Sequence, residues 1–63
     1  MGKEYKIITW FSQQDYAFIA QAPQLPGCMA NGDIEEEALE NIRVIIDLWI
    51  QTAQELGREI PQP

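Results

Sequence analysis

The chain has 63 residues, with ten acids, four bases, one cysteine and no histidine, for a net charge of −6. That length suits a single domain over residues 1–63. Its core is marginal without outside support, because so small a domain buries only about 60% of the surface its unfolded chain exposes.

The lone Cys28 excludes an internal disulfide. The lack of histidine and of a cysteine cluster argues against a zinc site. No cofactor is implied, and self-association is the remaining source of support. The bases Lys3, Lys6, Arg43 and Arg58 are scattered, which disfavours direct nucleic-acid binding by this chain. An acidic surface suits a basic protein partner, or serves only to keep a small protein soluble. The opening MGKEYKIITW lacks the apolar run of a signal peptide. No stretch approaches the roughly 20 apolar residues of a membrane span. A cytoplasmic protein is expected.

In chain order, residues 4–11, EYKIITWF, are rich in β-branched and aromatic types and predict a strand. Tyr5, Ile7, Thr9 and Phe11 share one face, and Lys6, Ile8 and Trp10 the other. Ser12 to Asp15 reads as a turn, and residues 16–22, YAFIAQA, as the second strand of an antiparallel hairpin. Both faces carry apolar groups, so one should meet a helix and the other another chain. Pro23 and Pro26 end the second strand. Cys28 to Asn31 suits a short third strand, and the NGD at 31–33 a turn.

From Ile34 to Leu56 the apolar spacing is helical. Ala38, Leu39, Ile42, Ile45, Ile46, Trp49, Ile50, Ala53 and Leu56 fall within a band about 140° wide. Val44 and Leu48 form a second, smaller strip. Gly57 is placed to cap the helix, and Pro61 stops any continuation. The final REIPQP either adds a short edge strand or trails off. The fold class expected is therefore α+β: a three-stranded antiparallel sheet followed by one long helix packed on it, with a possible short last strand.

Twenty-three helical residues span about 35 Å, against about 23 Å for a seven-residue strand. The helix end should overhang the sheet and expose Trp49, Ile50, Ala53 and Leu56. These four are the expected oligomer interface, most simply of a twofold dimer.

The stretch QLPGCMANGDIEEEAL, residues 24–39, holds the polar chemistry. Asp33 is placed to cap the helix, with Glu36 as its reciprocal partner three residues on. Glu35, Glu36 and Glu37 offset the positive end of the helix dipole. Consecutive helical carboxylates diverge by about 100° each, which suits capping better than metal ligation. A reactive Cys28 would need a base to form thiolate, and the chain has no histidine. Cys28 is expected to be a small buried residue at a corner, where Pro26-Gly27 turns with Gly27 at positive φ. An enzyme would require a constellation built across subunits from Asp15, Asp33 and Cys28.

Pro23, Leu25, Pro26, Gly27, Cys28, Gly32, Asp33, Glu36, Glu37, Ala38, Leu39 and Asn41 stand in an order and spacing that resembles the HicB-like antitoxin family. The likeness extends upstream to Asp15-Tyr16 and Ile19-Ala20 and downstream to the IPQP tail. Ile34 departs from the family's usual Thr or Ser at that position. Many members continue into a DNA-binding domain, so promoter binding is not expected of a chain ending at Pro63.

The resemblance implies a degenerate ribonuclease-H-like fold. In true ribonuclease H the catalytic carboxylates are borne largely on strands. Here the first two predicted strands carry only Glu4, so no nuclease activity is expected. It also implies binding to a small basic HicA-type ribonuclease toxin, whose active site the antitoxin blocks. Glu35, Glu36 and Glu40 would then steer association, with Trp10 as an aromatic anchor. Packing in the sheet or an oligomer is the competing role for Trp10. The alternative function is a stand-alone homo-oligomer without a toxin.

Overall fold

The computed structural model describes residues 5–63. Lys3 and Glu4, the latter placed by sequence at the start of the first strand, lie outside them. Strands β1 (Ile8–Ser12), β2 (Ala17–Gln21) and β3 (Met29–Gly32) precede one helix, α1 (Glu35–Leu56). The sheet order is β1-β2-β3, antiparallel throughout. The expected α+β fold is present. Each strand is shorter than, or offset from, its expected span. Among the described residues no strand follows α1, so the possible last strand does not form.

The β1–β2 turn is closed by local polar contacts. The Asp15 amide donates to Ser12 Oγ at 3.2 Å, and Ser12 Oγ lies 3.2 Å from Asp15 Oδ2. Tyr16 completes the reversal with φ 52, a left-handed conformation unusual for a bulky residue. Its ring packs edge-on against Phe11 at 5.7 Å, and Phe11 does likewise against Phe18 at 5.2 Å.

The expected alternation along the sheet holds. Ala20, Ala22, Leu25 and Cys28 join Ala38, Ile42 and Ile46 of the helix and Tyr5 in one buried cluster, with Ile7, Phe18 and Ala30 packed against it. The helix lies mainly over β3 and β2. Gly32 lets it come that close: a Cβ there would stand 2.6 Å from the Ala38 amide nitrogen.

The turn after β2 folds into a compact corner. The Leu25 amide bonds the Ala22 carbonyl, the Cys28 amide the Leu25 carbonyl, and the Ala22 amide the Cys28 carbonyl, each at 3.0 Å. Gly27 has φ 76, as its place after Pro26 requires.

The helix ends in a Schellman motif, with Gly57 at φ 70. The Arg58 amide reaches the Ala53 carbonyl at 2.8 Å, and the Gly57 amide reaches the Gln54 carbonyl at 3.2 Å. The chain after it is held back against the domain. Tyr5 Oη donates to the Pro61 carbonyl, and Gln24 Nε2 to the Gln62 carbonyl at 3.0 Å.

Candidate functional site

The helix start differs from the sequence expectation. Asp33 is not the cap. Ile34 occupies the N-cap position with extended backbone and no capping side-chain bond. The reciprocal contact comes from Glu37 rather than Glu36: the Asp33 amide donates to Glu37 Oε1 at 2.9 Å. The helix simply starts one residue later than Asp33 requires, so the carboxylate able to reach back is also one residue later. Glu35 bonds sideways to the sheet, accepting from Thr9 Oγ1 at 2.7 Å. Glu36 and Glu40 are exposed. Four residues apart, they share one side of the helix.

Thr9 meets the helix, so Trp10, its neighbour in β1, points to the opposite face of the sheet. Trp10 is 39% exposed. The four residues expected to bind a partner thus fall into two groups: Glu35, Glu36 and Glu40 at the helix start, and Trp10 on the uncovered sheet face. That face also presents Ile8 and Met29, and Ile19 sits between β1 and β3, buried but outside the main core. Its strand positions, completed by Ser12, Ala17, Gln21 and Asn31, carry no charged side chain.

The helix end is less open than its length suggested. Ala53 is 2% exposed within the single chain, so a monomer does not leave it in water. Trp49 and Ile50 are half-buried against the core, and the Trp49 indole N–H donates to the Pro26 carbonyl at 2.9 Å. Leu56, at 63% exposure, keeps the open position expected of it, and Val44 and Leu48 form the exposed second strip. A shallow groove of about 290 Å³ is lined by Leu48, Trp49, Thr52 and Arg58, among others. The bonds of the tail to Tyr5 and Gln24 had no signal in the sequence beyond the ordinary stop signals of Gly57 and Pro61.

Cys28 is fully buried in the corner, and burial pushes its thiol pKa up, away from the thiolate a nucleophile needs. Asp15 is tied into the hairpin turn and Asp33 lies at the helix start. Among the described residues, no three Cys, Asp or Glu side chains gather as a metal ion would require. Among them, too, no helix is long and apolar enough to cross a membrane.

A family model described as the HicB-like antitoxin of bacterial toxin-antitoxin systems matches residues 5–63. The chain belongs to this family. A UPF0150 protein of Synechocystis sp. is 43% identical over 44 residues, covering 70% of this chain and 60% of that protein. The matched part of the chain thus spans less than two thirds of that relative. A UPF0150 protein of Thermoplasma acidophilum is 30% identical over 59 residues, covering 94% of this chain and 84% of that protein. No solved structure matches the chain significantly.

Proposed function

We propose that this HicB-like chain is a non-catalytic cytoplasmic binding module that neutralises a small basic ribonuclease toxin of the HicA type by covering its active site. Membership of an antitoxin family over nearly the whole chain carries the reading. The charge of −6 supports it, since a basic partner is drawn to such a surface. Glu36 and Glu40 on the outer side of the helix start are the acids open to steer it, with Glu35 beside them. Trp10 lies on another face, so in this reading it serves self-association rather than the toxin contact.

The test is an RNA-cleavage assay with a small basic ribonuclease of the HicA type. One equivalent of the chain should abolish cleavage, and the pair Glu36→Lys and Glu40→Lys should weaken that inhibition at least tenfold. Undiminished cleavage at excess chain contradicts the proposal.

A second reading, a stand-alone homo-oligomer, draws on the exposed apolar side chains of the uncovered sheet face, Ile8, Trp10 and Met29. Self-association is compatible with both readings.

A further inference from the structure

We propose that Asn31-Gly32 is a site of spontaneous deamidation that strand β3 holds in check, so that the chain is modified there only when β3 opens, and the isoaspartyl product no longer seats the helix. The chemistry needs no partner and is independent of the toxin reading.

This is the only Asn-Gly pair in the chain. By sequence NGD reads as a turn, but Asn31 and Gly32 close β3 instead, and the chain bends after them. Asn31 is exposed, on the uncovered sheet face beside Ile19 and Met29. The reaction uses only these two residues and water. The Gly32 backbone nitrogen attacks Cγ of the Asn31 amide and loses its proton, and the Cγ–Nδ2 bond breaks to release ammonia. Water then opens the succinimide ring. Cleavage of the bond to Cγ gives aspartate. Cleavage of the bond to the main-chain carbon gives isoaspartate, in which the backbone runs through the side chain. An amide and water become an acid and ammonia, with nothing oxidised or reduced. Glycine has no Cβ to hinder the attack.

Three features of the folded chain keep the nitrogen from Cγ. With ψ about +135° in an antiparallel strand, the Gly32 nitrogen is turned away from the Asn31 side chain. Asn41 Nδ2 of α1 donates to the Asn31 carbonyl at 2.8 Å and so holds the peptide that would have to rotate. The Gly32 N–H stands on the opposite side of that trans peptide, toward Phe18, its partner in the β2–β3 ladder. All three restraints are lost together when β3 leaves the sheet. β3 has four residues and is paired to β2 alone.

The isoaspartyl product blocks the return. It lengthens the main chain by one methylene immediately before Gly32, where there is no slack: even a Cβ on Gly32 would stand 2.6 Å from the Ala38 amide nitrogen. The aspartyl product leaves the backbone intact but adds one acid to the uncovered face, taking the net charge from −6 to −7.

The experiment incubates the folded chain and the chain in guanidinium chloride side by side in near-neutral buffer. Peptide mass spectrometry follows conversion at Asn31, with Asn41, whose neighbour Ile42 hinders attack, as the internal control. Conversion at Asn31 should be at least tenfold faster in the unfolded chain, with Asn41 intact in both. Folding should slow it by the same factor as it slows deuterium exchange of the Gly32 N–H, because both need the same opening. Asn41→Ala should speed folded-state conversion by more than its effect on the global unfolding constant. Asn31→Gln should abolish it, since the longer side chain closes a less favoured ring. Equal rates in the folded and unfolded chain, or conversion in neither, overturn the proposal. A separated isoaspartyl chain that refolds and melts like the wild type overturns the block on return.

Discussion

Gly32→Ala tests the approach of helix and sheet on which the fold turns. The new Cβ would lie 2.6 Å from the Ala38 amide nitrogen, 2.6 Å from Glu37 Cβ and 2.9 Å from the Glu37 carbonyl carbon. Two of these three are helix backbone atoms, which no rotamer change can move aside, so the first helical turn must shift off β3. Overpacking of this kind costs about 1–3 kcal/mol, and contact with the Glu37–Ala38 peptide group of the helix backbone puts this site near 3. In a domain of this size that lowers Tm by about 12–24 °C.

Gly27→Ala is the control. Its Cβ meets nothing within 4 Å, and the cost comes only from φ 76, about 1–2 kcal/mol. Thermal and urea melts followed by far-UV circular dichroism measure both. If Gly32→Ala melts no lower than Gly27→Ala, the close approach is not what fixes the helix on the sheet.

Three further outcomes follow from the same geometry. Glu37→Ala should cost about 0.5–1.5 kcal/mol in urea denaturation through loss of its bond to the Asp33 amide, while Glu36→Ala changes stability by less than about 0.5 kcal/mol; the reverse order would restore Glu36 as the capping partner. Trp49→Phe should cost about 0.5–1.5 kcal/mol through loss of the bond to the Pro26 carbonyl, and an unchanged urea midpoint would show that the indole N–H contributes nothing. The raised pKa of Cys28 means the folded chain holds the thiol proton more tightly than the unfolded one. Its contribution is therefore complete below the ordinary thiol pKa of 9.0 and is lost as pH rises past it towards the folded value. Between about pH 7 and pH 10 the wild type should lose more stability than Cys28→Ala; parallel pH profiles would mean that the thiol is not desolvated.

The sequence was most legible where a pattern repeats. The period-two alternation on either side of Thr9 and Trp10 and the long 3.6-residue pattern from Ala38 to Ala53 yield three strands, one helix and the faces they share. It was less legible where one residue of offset matters. Asp33 is a better capping residue than Ile34 by composition, but Ile34 takes the N-cap position and Glu37 becomes the partner. The exposure expected of Ala53 failed for a different reason. Helix length alone predicts an overhang; it does not show that Ala53 lies buried within the single chain, beside Trp49 and Arg58.

The grouping of site residues depended on knowing which neighbour faced the helix. The Thr9–Glu35 bond settles that and separates Trp10 from the acids. The family itself was legible from the ordered LPGC and GD motifs, and the match over residues 5–63 confirms it.

The proposed function has this acidic domain capture a small basic toxin. Co-expression with the adjacent gene, followed by measurement of the eluted mass at moderate salt, tests it most directly. The expected result is a stoichiometric complex with a small basic protein that dissociates as salt is raised. A chain that elutes only with copies of itself, beside a neighbour that is expressed and soluble, would contradict it.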